Sequence, residues 1–286
     1  MTESVPAEEE HPSPAAASVP GRSLTQAVIT AVVLILIAIT AYVIGVRAFL
    51  VLATIVVLAA QFELLYSLRS KDRRPSLVLG LACTFGMVLA AYVERPGFIA
   101  AVLAVALVGG FVWALRPTRG NSPGSDVAWL LLSVAWIGGG GAGAVSILAL
   151  DPGGLNILVT VVAVIALGDI AAYFVGTNLG RHKLAPSISP GKSWEGFVAG
   201  LVTSLGAGPL LSLLIEELEV VDGLAVGALC GLLAPVGDLI ESLVKREIGI
   251  KDSSDLLPGH GGFLDRLDAI IFCSPAVYLY LRLVVF

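Results

Sequence analysis

Leu155-Asn156-Ile157-Leu158-Val159-Thr160-Val161-Val162-Ala163-Val164-Ile165-Ala166-Leu167-Gly168-Asp169-Ile170-Ala171-Ala172-Tyr173-Phe174-Val175-Gly176 is an almost unbroken apolar run carrying one charge, Asp169. Wound as a helix, a run of about 20 such residues spans the ~30 Å hydrocarbon core of a bilayer. Similar runs recur along the chain and predict nine spans, at about 25–45, 48–67, 77–93, 97–115, 127–149, 155–176, 196–215, 223–244 and 269–286. The fold expected is therefore an all-α, polytopic membrane helical bundle of about nine transmembrane helices.

Composition agrees. Of the 286 residues, 57% are hydrophobic and 14% charged, where a soluble domain carries about 25% charged residues. Cys83, Cys230 and Cys273 all fall inside apolar segments, which reads as small buried hydrophobes and excludes a disulfide framework or a cysteine metal cluster. The Gly138–Gly141 run lies in the fifth span, where glycine lets helix backbones approach closely. Residues 1–23 are acidic and rich in Pro, Ala and Ser, and read as a disordered cytoplasmic tail. Residues 24–150 then form a first set of membrane helices, and 151–286 a region where polar motifs concentrate.

Orientation follows from the basic residues, which favour cytoplasmic loops. With the N-terminus in the cytoplasm, all of the 17 Lys and Arg except Arg47, Arg95 and Arg282 fall on that side. The opposite loops are acidic, as at Glu216, Glu217, Glu219 and Asp222. Both polar stretches, 177–195 and 245–268, then face the cytosol, where a charged substrate such as a nucleotide is found.

Three features carry candidate chemistry. Asp169 lies well inside a span and shares a helical face with Tyr173 and Gly176, at i, i+4 and i+7. Ionisable groups at that depth are expensive and mark functional sites. The second feature is the loop Gly180–Gly196, which combines basic residues, hydroxyls, glycine and proline. Ser193 or Ser189 could cap the following helix, whose N-terminal amides favour an anion, and Lys192 adds a point charge suited to phosphate. Gly191-Lys192-Ser193 resembles the end of a P-loop only superficially, since Pro186 occupies the upstream glycine position. The third feature begins with Asp238, Glu241, Ser242 and Lys245 at i, i+3, i+4 and i+7, and continues through 245–268 to Asp265 and Asp268, which share a face if helical. Carboxylates beside bound phosphates point to Mg²⁺, a hard ion that takes oxygen ligands. His260, set among Gly259, Gly261 and Gly262, marks a close backbone approach to a ligand.

The pattern Ser242-x2-Lys245-Arg246-x4-Lys251-Asp252-x-Ser254-x2-Leu257-Pro258-x-His260-Gly261-Gly262-x2-Asp265-Arg266-x-Asp268 resembles the signature of the bacterial phosphatidate cytidylyltransferases. Leu184-Ala185-Pro186, Ser189–Gly196 and the Asp169, Ala172-Tyr173, Gly176 set extend the likeness over roughly 155–286. Ile170, Ala171 and Ala269 depart from the family where hydroxyl residues or glycine are common, which removes any hydroxyl role at 170 or 269.

The resemblance implies transfer of the cytidylyl group of CTP to phosphatidate, giving CDP-diacylglycerol and pyrophosphate with Mg²⁺, and K⁺ is a candidate second cation. It implies Asp238 and Asp265 as metal carboxylates, and Lys245, Arg246 and His260 beside them as catalytic groups. Ser189, Lys192, Lys251, Arg266 and Asp169 become the expected substrate contacts. It further implies a homodimer in the inner (plasma) membrane, surrounded by lipid, with a cytoplasmic active site and no nucleic-acid partner. Two other readings compete: an ion-coupled secondary transporter using Asp169 and Asp238, and another CTP-dependent membrane lipid kinase.

Overall fold

The computed structural model describes residues 24–71, 73–116, 122–250, 253–254, 256 and 261–286. Their order is α1 (Leu24–Ile44), α2 (Val46–Ser67), α3 (Leu77–Tyr92), α4 (Pro96–Ala114), α5 (Pro123–Ser133), a π-helical turn (Val134–Gly138) and α6 (Gly139–Leu148). Then follow α7 (Gly154–Leu179), β1 (Lys183–Ala185), β2 (Ser189–Ser193), α8 (Trp194–Ser212), α9 (Val220–Ile248) and α10 (Leu264–Tyr280). The disordered-tail expectation for 1–23 lies outside the described residues.

Every expected span falls on a helix, with α5, the π turn and α6 joined into one rod. Length and apolarity divide them. Among the described residues six helices are long and apolar enough to cross a membrane: Val46–Ser70, Gly97–Ala114, Pro123–Leu148, Gly154–Leu179, Val220–Ile248 and Leu264–Val285. The apolar stretches Val28–Ile44 and Leu77–Tyr92 are shorter; the 16 residues of α3 rise only about 24 Å, less than a ~30 Å core. Apolar side chains such as Ile35, Ile55, Val108, Phe111 and Val202 are exposed around the bundle, an arrangement suited to lipid. The chain is a multi-pass helical membrane protein.

Two cores hold the bundle together. One gathers Val57, Leu64, Leu65, Met87, Val134, Ile137, Leu264 and Ile271; the other gathers Ile147, Ile157, Val161, Val226, Cys230, Cys273 and Val277. Helix α10 contributes to both, so its rotation and height are fixed from two sides. The glycine run acts as expected: a Cβ on Gly140 would collide with the Ile271 carbonyl, and just past the run one on Gly143 would sit 2.7 Å from the Pro275 nitrogen. All three cysteines are free and buried.

The 177–195 stretch differs from the expected loop. Helix α7 continues to Leu179, and residues 183–193 form an antiparallel hairpin with Lys183 opposite Ser193 and Ala185 opposite Ser189. Pro186-Ser187-Ile188 supplies the turn, closed by the Ile188 amide donating to the Ala185 carbonyl at 3.2 Å. The two short strands are too poor in hydrophobic alternation to announce themselves in the sequence.

Candidate active site

Helix α9 carries the first half of the site. Its spacing places Asp238, Glu241, Ser242 and Lys245 along one face, and Gly249, at φ 73°, ends the helix in the left-handed conformation that glycine tolerates. Gly237 lets α9 meet α10: a Cβ there would lie 2.7 Å from the Asp268 carbonyl oxygen and 2.8 Å from Phe272 Cβ. That crossing brings Asp268 to Asp238 and Glu241, with one carboxylate oxygen from each of the three within 4.8 Å of the others.

The hairpin supplies the second part. Ser193 caps α8 by accepting from the Gly196 amide at 3.2 Å, as the sequence suggested for this position. Lys192, just before it, reaches across to α9, where its Nζ lies 2.6 Å from Asp238 Oδ2 and donates to the Pro235 carbonyl at 3.2 Å. At the outer edge His182 Nδ1 meets Glu195 Oε1 at 2.6 Å. The Glu195 carboxyl is held down at about 2 by the backbone amide at its own position and then by the His182 ring. The hairpin is thereby tied to both α8 and α9.

The third part is the start of α10. Lys245 Nζ bridges Glu241 Oε2 at 2.9 Å and Asp265 Oδ1 at 2.8 Å. Asp265 also accepts from Ser253 Oγ at 3.0 Å, the Gly262 amide at 2.7 Å and the Ser253 amide at 3.3 Å. Ser242 Oγ sits 3.5 Å from Asp238 Oδ1, at the limit of a hydrogen bond. Asp169 lies on α7, the helix that packs along α8, and is exposed.

The structure therefore brings together Lys192, Asp238, Glu241, Lys245, Asp265 and Asp268. Within that group Asp238 pairs with Lys192, and Asp265 pairs with Lys245. Asp238, Glu241 and Asp268 are the set that could hold a hard cation through oxygen. Both Asp265 oxygens are engaged by Lys245, Ser253 and Gly262, while Asp238 Oδ2 is engaged by Lys192 and Glu241 Oε2 by Lys245. The two aspartates sit three residues apart on α10 and both turn toward α9, Asp265 to Lys245 and Asp268 to Asp238 and Glu241. Ser189 pairs with Ala185 at the turn end of the hairpin, away from Lys192. Arg246 and Arg266 are exposed. Lys251 and His260 lie outside the described residues.

Two contributors went unnoticed in the sequence. Ser253 joins Asp265 to the buried Glu241, whose Oε1 is 3.5 Å from Ser253 Oγ. Glu63 of α2, only 2% exposed, accepts from the Ser254 hydroxyl and the Phe263 and Leu264 amides. A carboxylate in the apolar Val46–Ser70 span was the available signal, because such a group is costly unless partnered.

Comparison with known proteins gives the family. The chain is 40% identical over 130 residues to the uncharacterized protein YnbB of Escherichia coli K12, a match covering 46% of this chain and 44% of that protein. It is 32% identical over 280 residues to the phosphatidate cytidylyltransferase of Mycobacterium bovis, covering 92% of this chain and 90% of the relative. It is 41% identical over 130 residues to the phosphatidate cytidylyltransferase of Brucella suis, covering 46% of this chain and 48% of the relative. The sequence model of the cytidylyltransferase family matches residues 25–284, nearly the full bundle that builds the site, and the chain belongs to that family.

Proposed function

We propose that the protein is a phosphatidate cytidylyltransferase, joining CTP to phosphatidate to give CDP-diacylglycerol and pyrophosphate for phospholipid synthesis. One observation carries the reading. Lys192 from the hairpin and Lys245 from α9 stand beside Asp238, Glu241, Asp265 and Asp268, so carboxylates outnumber ammonium groups four to two at one polar focus of an apolar bundle. Such a focus suits a divalent cation together with phosphates, and the near full-length likeness to the Mycobacterium bovis enzyme supplies the substrates.

In this reaction a phosphate oxygen of phosphatidate attacks the α-phosphorus of CTP. The new P–O bond forms as the bond to the bridging oxygen breaks, and pyrophosphate leaves with that electron pair. The nucleophile is already anionic near neutral pH, so the site's task is to align two polyanions and reduce their repulsion. Lys192 and Lys245 act as cationic contacts for phosphate oxygens. Lys245 is held in place by Glu241 and Asp265, which fixes the direction of its charge. Arg246, Lys251 and Arg266 add positive charge around the phosphates, Ser189 and Asp169 contact substrate, and His260 positions a phosphate oxygen or protonates the leaving group.

Asp238, Glu241 and Asp268 are the residues whose oxygen donors fit Mg²⁺, with Asp265 joined to them through Lys245. When bound, Mg²⁺ supplies charge neutralisation at the phosphates; K⁺ is a candidate second cation.

The placement in the cell is part of the same proposal. We read nine membrane crossings, an N-terminus and active site facing the cytoplasm, insertion in the inner (plasma) membrane and a homodimer. Residues 1–23 form a cytoplasmic tail, 24–150 a helical scaffold and 151–286 the catalytic region, which holds every carboxylate and lysine of the focus.

The test is direct. The purified full chain in lipid nanodiscs, given CTP labelled in turn on the cytidine and on the γ-phosphate, should release labelled pyrophosphate and form CDP-diacylglycerol only with phosphatidate and Mg²⁺ present. Release of CDP would indicate a kinase, and absence of any CTP turnover would favour the transporter reading.

A further inference from the structure

Helix α10 begins without a cap of its own. Phe263, the residue at its N-cap position, has helical backbone angles (φ −66°, ψ −36°) and makes no capping hydrogen bond through its side chain. Yet the helix starts inside the protein, with Leu264 1% exposed. Amides at a helix N-terminus have no partner within the helix, and leaving one buried without an acceptor costs about 1–3 kcal/mol.

The acceptor comes from the other half of the chain. Glu63 Oε1 accepts from the Phe263 amide at 3.0 Å and from Ser254 Oγ at 2.5 Å, while Oε2 accepts from the Leu264 amide at 2.9 Å. Negative charge at this end of a helix also opposes the helix dipole favourably. Gly262 completes the fit, since a Cβ there would sit 2.5 Å from Glu63 Oε2. On its other side the same turn is held by Asp265, which accepts from the Gly262 amide at 2.7 Å.

We propose that Glu63 is a positioning residue for the active site: it docks the first turn of α10 and the Ser254 segment onto α2, and so sets where Asp265 and Asp268 stand against α9. The Glu63 carboxylate is held by the Ser254 hydroxyl and the Phe263 and Leu264 amides, so its action runs through the helix start. The inference rests on the cytidylyl-transfer reading for its kinetic readout alone.

Glu63→Gln separates positioning from bulk. The amide keeps the size of the side chain and one acceptor oxygen, but it turns the other position into a donor facing a donor. Loss of a supporting partner typically costs about 10–100-fold in activity. Kinetics of the full chain in nanodiscs should therefore show kcat down about 10-fold or more, with KM for CTP within about twofold. Glu63→Asp, which retains both oxygens, should recover part of that loss. Hydrogen exchange at the Phe263 and Leu264 amides should quicken about tenfold or more in Glu63→Gln, with α7 and α8 unchanged.

Wild-type kcat in Glu63→Gln, unchanged exchange at those two amides, or a loss of activity that only follows a fall in folded protein would each overturn the assignment. If the wild-type chain makes no CDP-diacylglycerol, the functional reading fails by itself. Exchange at Phe263 and Leu264 then still decides the positioning role, supporting it if quickened in the variant and refuting it if not.

Discussion

Replacing Asp268 by asparagine tests how the carboxylates are divided. The substitution keeps the shape of the side chain and removes one negative charge from the three oxygens that lie within 4.8 Å of each other. Two unit charges about 4 Å apart interact by about 1 kcal/mol in water and about 4 kcal/mol near a protein surface, and a divalent ion doubles either figure. Even the lower value, about 2 kcal/mol, corresponds to roughly a 30-fold rise in the Mg²⁺ concentration giving half-maximal turnover. The comparison is Asp265→Asn, which places an amide against the backbone amides of Gly262 and Ser253 or against Lys245. That variant should lose at least about 100-fold in kcat through disorder around Lys245, with a smaller shift in Mg²⁺ dependence than Asp268→Asn. Steady-state assays of both purified variants over a Mg²⁺ titration, at saturating CTP and phosphatidate, give the two numbers. Should Asp268→Asn leave the Mg²⁺ dependence within about twofold while Asp265→Asn moves it more than about tenfold, the reasoning from proximity is wrong and Asp238 with Asp265 form the metal centre.

Two further substitutions probe the elements that bring the site together. Lys192→Ala removes the 2.6 Å contact with Asp238 and the link from the hairpin to α9; KM for CTP should rise about tenfold in initial-rate assays, and unchanged kcat and KM would reduce the hairpin to a topological role. Gly237→Ala sets helix propensity, a gain of about 1 kcal/mol, against overpacking of about 1–3 kcal/mol. Because the new Cβ meets the Asp268 carbonyl at 2.7 Å, which is backbone, overpacking should win, and thermal unfolding in detergent should show a lower Tm together with weaker Mg²⁺ activation.

Much of the molecule could be read along the chain because hydropathy and helical spacing are local properties. The apolar runs located the helices, and the i, i+3, i+4, i+7 order of Asp238, Glu241, Ser242 and Lys245 described a true face of α9. Ser193 was identifiable as a cap because capping is a contact between near neighbours. The hairpin was harder, since Lys183–Ala185 and Ser189–Ser193 are short and polar and gain their order from α8 and α9 more than from their own pattern.

What the sequence by itself determined was a membrane bundle with a charged focus in its last third, and the residues that could share that focus. Only the tertiary structure decided that Asp265 meets Lys245 while Asp268 meets Asp238 and Glu241, and that Glu63, about 200 residues earlier, caps α10. The physical reason is that both depend on how helices distant in sequence rotate and cross. That rotation is set by two separate cores meeting on α10 and by the close approach at Gly237, neither of which leaves a local periodic trace.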